Sequence, residues 1–461
     1  MTEEARPDRQ AGLLRTSRLR VSLRASYAEA ATAELFGACT GGAVLTAWAL
    51  HLGATPFTIG LLAALPLAAQ VLQLPAAWLT LRFGPKAVAI AAIGASRLLW
   101  LPLVALPFVE LPLPTALHVF VGVVALAAVF GVIGNNAWTA WIGELVPGAI
   151  RGRFFSRRTV YVSVASTIAS LGAAVALDSL SPRGWTGVAL GGLAAVACLA
   201  GALSIYLLHR QHAPARAGAQ ERTDWRVLLE VARAPRARPF LRYLLSWNSA
   251  VALSAGFFSL HMLVNLRTGF ALAALYGVGV ATVRIISAPM WGRAVDHLGA
   301  RPVLIFCSFG IAAVPAIWLF ATPAFLWPLA IDVVLAGALW GGHGIATMDL
   351  TVKLSPGRER PFYLAMFAAA SGLGFAIAGM LAGLLASALP ERFDLFGETW
   401  NNLHVLFLLS ALARVLAAAP ALRIQEPGAQ DVRTFVKRAV NVAATVLVPR
   451  RLTVGAVSGR R

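Results

Sequence analysis

Four ionisable residues inside long apolar runs are the first candidates for chemistry in this chain: Glu34, Arg284, Asp332 and His343. An ionisable side chain in a hydrophobic span costs roughly 2.5–3.5 kcal/mol on insertion scales, so each needs a role or a partner. A carboxylate buried without a cation takes up protons more readily than in water, and histidine exchanges protons near neutral pH. We expect Glu34, Asp332 and His343 to carry protons, and Arg284 to contact solute or switch charge partners.

Structural roles for the same residues remain open at this stage. Glu34 also fits a helix-end carboxylate bonded to a neighbouring arginine, and His343 also fits a satisfied residue of an apolar core. Asp332 and His343 are eleven residues apart, which is three helical turns, so a helix would carry both on one side.

Other polar residues in the apolar runs divide by expected role. Uncharged side chains predicted to line a solute cavity are Gln70, Gln73 and Asn248. Residues expected at the membrane interface or in helix bracing are Asn135 and Asn136 with Trp138 and Trp141 (interfacial girdle), Arg97 and Arg414 (bracing or a bond to a carbonyl), Glu29 (solvated) and Asp349 (gate or loop cap).

Two short loops occur once in each half of the chain. GRAVDHLGAR at 292–301 matches AWLTLRFGPK at 77–86, so that Gly84 aligns with Gly299 and Lys86 with Arg301. LVPGAIRGRF at 145–154 matches LSPGRERPFY at 354–363, which aligns Arg151 with Arg360. Because both pairs repeat at nearly one offset, they predict a duplicated helical bundle, the usual construction of secondary transporters.

Composition places these loops between membrane spans. The chain has 461 residues, of which 58% are hydrophobic and only 13% charged. The apolar residues form runs of about 20, the length needed to cross the hydrocarbon core. The sequence predicts an all-α polytopic membrane protein with about twelve spans in two pseudo-symmetric six-helix bundles: 29–50, 57–79, 87–108, 115–138, 159–178, 185–208, 241–265, 271–292, 302–321, 325–348, 362–388 and 401–422.

The net charge of +19 is concentrated in alternate connections. Arginine and lysine cluster in the N-terminal tail, at 81–87, 148–159, 209–242, 293–301 and 353–360, and in the C-terminal tail, whereas the intervening loops carry few. This is the positive-inside pattern, which predicts an inner (cytoplasmic) membrane protein with both termini cytoplasmic. The basic surface is expected to face anionic inner-leaflet lipids, and without a folded basic module we expect no nucleic-acid partner.

The predicted organisation has five parts: a tail at 1–28, a bundle at 29–208, a linker at 209–240, a bundle at 241–422 and a tail at 423–461. Segment 223–234 in the linker fits either an amphipathic helix on the bilayer surface or a solvated tether. The tail at 431–448 is too polar at its start for a thirteenth span.

With these loops and spans, residues 25–423 resemble the major facilitator superfamily. Its signature after the second helix is G-x-x-x-D-x-x-G-x-R/K-R/K, which the second half retains as Gly292, Asp296, Gly299 and Arg301. The first half departs from it, because Ala77 and Leu81 replace the glycine and the aspartate.

The resemblance implies a gating role for these loops and a sorting of the helices. Asp296 is expected to pair across the cytoplasmic face, with Arg360 as a candidate partner, and Leu81 argues against a symmetric latch. The family's first, fourth, seventh and tenth helices are expected to line the central cavity, which favours Glu34, Asp332 and His343 as site residues.

Enzymatic classes find no support in the motifs. The chain has no Walker-type phosphate loop, no H-E-x-x-H pair and no Cys/His metal pattern around Cys39, Cys198 and Cys307, so we expect no enzyme activity, no metal and no cofactor.

The predicted function is secondary transport of a small solute by alternating access, with protons as the expected coupling ion if transport is coupled. Export of a lipophilic solute is slightly favoured, because the cavity helices hold few polar residues. Two alternatives remain open: a solute uptake permease, and a non-transporting scaffold or assembly factor on the same fold.

The predicted orientation has a direct test. With Cys39, Cys198 and Cys307 replaced, we expect Glu110→Cys and Glu391→Cys to react with a membrane-impermeant thiol reagent on intact cells, because both lie in loops assigned to the outside. Gln220→Cys, in the linker, should react only after the cells are opened. Labelling of the linker site alone on intact cells would overturn the topology.

Overall fold

The computed structural model of the protein describes residues 5–212, 231, 233–355, 360–395, 398–426 and 428–430. Over these residues it contains twelve helical spans that are long and apolar enough to cross a membrane, as the sequence predicts. Most of segment 223–234 and all of the tail beyond 430 lie outside the described residues, so their predicted structures stay predictions.

The N-terminal half contributes six spans, several of them interrupted by a turn of different geometry. They are α1 Leu19–His51 (helices Ala5–Thr40 and Gly42–His51), α2 Pro56–Phe83 (Pro56–Ala68, a 3₁₀ turn Ala69–Leu72, Gln73–Phe83), α3 Pro85–Phe108 (Pro85–Leu98, Leu101–Ala105, a 3₁₀ turn Leu106–Phe108), α4 Leu113–Leu145, α5 Arg153–Arg183 (Gly148–Leu180, a 3₁₀ turn Ser181–Arg183) and α6 Thr186–His209.

The C-terminal half repeats the pattern and adds one small hairpin. Its elements are α7 Arg238–Asn265 (Arg238–Ala255, Phe258–Leu260, a π turn His261–Asn265), α8 Gly269–Leu298, α9 Ala300–Phe320 (Ala300–Ala312, Val314–Ile317, a 3₁₀ turn Trp318–Phe320), α10 Trp327–Lys353, α11 Phe362–Ala388 within helix Arg360–Ala388, the antiparallel strands β1 Arg392–Leu395 and β2 Glu398–Asn401, and α12 Asn402–Arg423 (Asn402–Ala418, a 3₁₀ turn Ala419–Arg423).

Eleven spans begin within six residues of the predicted positions, but α1 begins ten residues before the predicted residue 29, at Leu19. Its helix runs from Ala5, and its apolar span starts at Leu19. The helical turns before residue 29 pack against the rest of the bundle, since Ser22 and Ser26 are buried. The Ser22 hydroxyl accepts a 2.9 Å hydrogen bond from the backbone N–H of His212.

The bundle has two unlike ends. We call the end formed by the α1–α2, α5–α6, α7–α8 and α11–α12 connections the distal end, and the end formed by the α2–α3, α4–α5, α8–α9 and α10–α11 connections the proximal end. At the distal end one buried apolar cluster crosses both halves and includes Trp48, Phe120, Phe257, Trp318 and Phe407.

At the proximal end the apolar core divides into two clusters. One belongs to the N-terminal half around Trp141 and Phe154. The other belongs to the C-terminal half around Tyr243 and Trp247, joined by Ala64 of α2. Because helices in a bilayer associate through close side-chain packing, the shared cluster indicates that side chains of the two halves interlock mainly at the distal end.

Helices α2 and α11 form the closest contact between the halves. A Cβ on Gly60 would lie 2.8 Å from the Gly379 carbonyl oxygen, and a Cβ on Gly383 would lie 2.9 Å from the Phe57 Cα. A Cβ on Gly372 would overlap the Leu67 carbonyl oxygen. Glycine is therefore required for the backbones to approach this closely, as small residues allow in membrane helices.

A buried ion-pair network holds the N-terminal half together and corrects the prediction that Glu29 is solvated. Glu29 is 3% exposed, and its carboxylate lies 3.6 Å from Arg97 of α3 and 3.3 Å from Arg158 of α5. The Ser204 hydroxyl of α6 donates a third contact at 3.1 Å. The prediction was wrong because three other helices converge on this turn of α1, which the sequence of α1 does not reveal.

Gly372→Ala tests the α2–α11 contact. The added methyl group meets backbone, which cannot rotate away, so we expect a loss of about 1–3 kcal/mol, as for overpacked cores, and a lower melting temperature of the detergent-purified protein. Gly172→Ala, whose added Cβ would meet nothing within 4 Å, is the matched control and should be neutral or stabilising. Equal melting temperatures of the two variants would contradict the packing.

Glu29→Gln tests the ion-pair network. The amide retains the shape but leaves the Arg97 guanidinium, 9% exposed, without a charge partner, which typically costs about 3–5 kcal/mol. We expect a large fall in melting temperature, partly restored when Arg97→Gln is added. The exposed Glu144→Gln serves as control. A Glu29→Gln protein as stable as this control would rule the network out as a stabilising element.

Candidate functional site

A cavity of about 710 Å³ lies between the two halves, lined by the middle of α1 and α5, the distal end of α7 and the distal half of α8. Glu34 projects from α1 into its lining. The volume is within the range of small-molecule sites, roughly 300–1,000 Å³. Of the predicted site residues, Glu34 is the one that lines this cavity.

Helix α1 is broken where it borders the cavity. The break falls between Thr40 and Gly42, and Gly42 has a φ of 52°, in the left-handed region that favours glycine. Gly37, Gly41 and Gly42 all line the cavity. Discontinuous helices at mid-membrane bring backbone polar groups to a solute, as in other transporter folds.

A row of hydroxyl groups on α5 faces Glu34. Ser163, Ser166, Thr167 and Ser170 follow the spacing i, i+3, i+4 and i+7, which places them on one helical face, and all four line the cavity. The Ser166 side chain hydrogen-bonds to the Glu34 carboxylate. This spacing is visible in the sequence, but it was not identified there because hydroxyl residues are common in membrane helices.

The opposite wall comes from α7 and α8 and is mostly apolar. Its polar exceptions are Ser259, Tyr276 and Thr282, and the remaining lining residues include Phe258, Met262, Ala281 and Ile285. The cavity thus offers one carboxylate and a few hydroxyls within apolar walls. Such a site suits a solute with an apolar body and a small number of hydrogen-bond donors.

Asp332 lies behind this wall and reaches the cavity through Tyr276. The Tyr276 hydroxyl donates to Asp332 Oδ2 at 2.5 Å, and Trp318 Nε1 donates to the same oxygen at 3.0 Å. Asp332 is fully buried, and Oδ1 has no hydrogen-bond partner among the described residues. A buried carboxylate with one free oxygen is equipped to accept a proton.

His343 lies in a separate aromatic environment. The Tyr243 hydroxyl and His343 Nε2 are 2.7 Å apart, and the imidazole stacks on Trp247 with ring centroids 5.2 Å apart. Arg414 bonds to the Ile311 carbonyl at 3.2 Å and to the Ser254 hydroxyl at 2.9 Å, which is the bracing predicted for it. Asp332 and His343 share α10 but belong to different hydrogen-bond groups.

Four other predicted residues, Arg284, Asn248, Gln70 and Gln73, lie away from the cavity lining. Arg284 is exposed on α8 beside Gly341, with no ion pair among the described residues. Asn248 donates to the Leu244 carbonyl of its own helix at 2.8 Å. Gln70 accepts a 2.6 Å bond from Gln73, which in turn accepts one of 2.9 Å from Asn136.

The repeated loops anchor the last helix of each half. Lys86 Nζ donates to the His209 and Gln211 carbonyls at the end of α6, at 3.2 and 2.5 Å. Arg301 donates to the Leu422 carbonyl at the end of α12, at 2.8 Å. A basic side chain at a helix C-terminus is favourable because unpaired carbonyls concentrate negative potential there.

Glycine at one position of each loop is required by the backbone. Gly84 and Gly299 end α2 and α8 with φ of 93° and 98° and extended ψ, a conformation almost confined to glycine. This explains why glycine survives in the degraded first copy although Ala77 and Leu81 have replaced other signature residues.

Glu426, which the sequence did not single out, completes the second loop. Its carboxylate accepts from the backbone N–H of Ala300 and Arg301 at 3.2 and 2.7 Å and from Lys353 at 2.8 Å. Burial acts to raise the pKa of Glu426, but the Lys353 and amide hydrogen bonds outweigh it and hold the pKa below its usual value. The sequence feature that could have identified Glu426 is an acidic residue directly after the last apolar run.

The predicted latch of Asp296 remains a prediction. Asp296 is exposed at the proximal end, Gly292 is half-buried, and the side chains of Arg151 and Arg360 lie outside the description. Asp349 pairs instead with Lys353 of its own helix at 2.6 Å.

Three hydrogen bonds between the halves, all distal, were missed by the sequence analysis. Asp178 of α5 accepts from the backbone N–H of Phe270 and Ala271 of α8, at 2.7 and 2.6 Å. The Phe57 N–H of α2 donates to the Ser387 hydroxyl of α11 at 3.2 Å. Within the described residues, the hydrogen bonds between the halves are therefore confined to the distal end.

Comparisons with known proteins agree with this architecture. Two segments, 30–287 and 252–459, match the family model of the Major Facilitator Superfamily. The class H tetracycline resistance protein of Pasteurella multocida is 31% identical over 145 residues, which is 31% of this chain and 35% of that protein. The class C tetracycline resistance protein of Escherichia coli is 27% identical over 188 residues, 40% of this chain and 43% of that protein. The chain thus matches well under half the length of these relatives.

Solved structures share the fold at low sequence identity. A mutant of the nucleoside transporter NupG superposes with a TM-score of 0.67 and 14% identity, covering 88% of this chain and all of that one. The xylose transporter XylE from E. coli, in a partially occluded inward-open conformation, gives 0.62 and 13%, covering 90% and 100%. With twelve membrane-capable spans among its described residues and a family match along most of its length, the chain belongs to the Major Facilitator Superfamily.

Proposed function

We propose that the protein exports an amphipathic, mainly apolar solute by alternating access, coupled to protons through Glu34. The cavity at the junction of the halves supports this most directly, because its apolar walls hold a single lining carboxylate. The similarity to tetracycline resistance proteins favours export.

Proton coupling would operate through competition at Glu34. A deprotonated carboxylate next to Ser166 binds a cationic or hydrogen-bond-donating solute, and protonation from the opposite side releases it. Asp332 is a second protonation candidate, because Tyr276 links it to the cavity wall. His343, Asn248 and Gln70 are left with supporting roles.

The basic loops support a cytoplasmic proximal end. If the proximal end is cytoplasmic, the closed distal end faces outward, and the structure corresponds to an inward-facing state that loads solute from the cytoplasm or the inner leaflet. The basic proximal residues would then attract anionic lipid headgroups.

An uptake permease is the second candidate, since nucleoside and xylose transporters share the fold. The two directions separate in one experiment. Cells lacking their main exporters should accumulate less of a lipophilic cationic dye when they make the protein, whereas an uptake permease would raise accumulation or leave it unchanged.

Glu34→Gln should reduce flux driven by a pH gradient at least tenfold in proteoliposomes, because the amide can hydrogen-bond but cannot exchange a proton. The exposed Glu110→Gln is the matched control and should transport normally.

We expect Arg284→Ala to lose transport as well, through a contact made in another state of the cycle. Wild-type flux in both Glu34→Gln and Arg284→Ala would end the assignment, and absence of flux in the wild type across a solute library would favour a scaffold.

A further inference from the structure

A second cavity, of about 560 Å³, lies at the distal end, outside the transport cavity. It straddles the seam, because Leu50, Pro56 and Ile59 of the N-terminal half form one wall. The other wall comes from the end of α7, the β1–β2 hairpin and the start of α12. Nothing in the proposed transport cycle uses this pocket.

An unpartnered histidine forms the inner part of the pocket. His261 is 1% exposed, and its Nδ1 accepts from the Asn265 side-chain amide at 3.1 Å, so the neutral ring carries its proton on Nε2. Nε2 has no hydrogen-bond partner among the described residues. The His404 ring, which also lines the pocket, lies 5.3 Å away between centroids. A buried donor without a hydrogen bond typically costs about 1–3 kcal/mol. The Nε2–H group of His261 would therefore gain from a ligand that accepts a hydrogen bond.

The backbone that presents His261 is irregular. It is the first residue of the π turn, whose characteristic bond runs from Leu266 N–H to the His261 carbonyl at 2.9 Å. Arg267, directly after this turn, is the only non-glycine residue with positive φ in the described chain, at 52°. π turns and such outliers occur disproportionately at ligand sites.

The charges of the pocket favour an anion with an apolar body. Among the described lining residues, Arg267 and Arg392 face one carboxylate, that of Glu391, which leaves a positive excess in this part of the pocket. Trp400 and the apolar N-terminal wall offer a surface for hydrocarbon or an aromatic ring. Carboxylate recognition by guanidinium and N–H donors is strong because the hydrogen bonds are charge-assisted.

We propose that the distal pocket binds a small organic acid, with its carboxylate on His261 Nε2–H and Arg267 and its apolar body against Leu50 and Ile59. Since the two walls belong to opposite halves, the ligand binds only while the distal end is closed. Its binding therefore favours that closed state by mass action.

Benzoate is the probe, and binding is read as thermal stabilisation of the detergent-purified full-length protein. We expect a saturable rise in melting temperature with benzoate and none with benzyl alcohol, which lacks the charge. His261→Gln and Arg267→Gln should each weaken benzoate binding at least tenfold. His118→Gln and Arg183→Gln change exposed distal residues outside the pocket and should bind as wild type.

The outcomes are decisive in both directions. Equal shifts in all four variants, or no saturable shift with benzoate, would overturn the site, and saturation by sulfate at the same concentration would overturn the organic-acid assignment. Neither result depends on transport, so a protein without flux can still pass this test.

Closure of the distal end has its own measurement. In a background without native cysteines, Phe57→Cys and Ser387→Cys place thiols on either side of the α2–α11 seam, where the Phe57 backbone N–H lies 3.2 Å from the Ser387 hydroxyl oxygen. Benzoate should raise the rate of disulfide formation in this pair, and not when His261→Gln is added. An unchanged rate with saturating benzoate would contradict the coupling of the pocket to closure.

Discussion

The requirement that every buried charge find its partner without water governs this protein. In hydrocarbon, an unpaired charge or backbone group costs several kcal/mol, so charges gather where helices of one half converge. Glu29 draws α3, α5 and α6 onto α1, and Arg414 ties α12 to α7 and α9. Both sets of contacts stay within one half, so neither of them ties the two halves to each other.

The contacts between the halves are of a different kind. They consist of close glycine packing along α2 and α11, a shared distal apolar cluster and three distal hydrogen bonds to neutral or helix-terminal groups. None of them is an ion pair within the described residues. Weak, local contacts of this kind can break and reform without exposing a buried charge, which is what alternation between two open sides requires.

The duplicated loops show how a repeat keeps its mechanics while its sequence degrades. Lys86 and Arg301 both hold the last helix of their half, and both loops turn at a glycine with positive φ. The halves differ in what completes the loop, since Glu426 caps the start of α9. The first loop has Leu81 in place of the signature aspartate, whereas the second loop keeps Asp296 and is also capped by the carboxylate of Glu426, which follows α12.

Apolar run length was enough to identify twelve spans, because hydrocarbon thickness acts on local sequence. The repeated loops and their signature residues identified the duplication and the family resemblance. The same reasoning selected Glu34, which lines the cavity, and gave Arg414 its bracing role. It failed for Glu29, and it missed Asp178, Glu426 and the Tyr276–Asp332 bond, because each depends on a partner that lies 56 or more residues away in the sequence. Local sequence sets whether a side chain enters the membrane, whereas its neighbours there depend on helix packing, which only the tertiary structure decides.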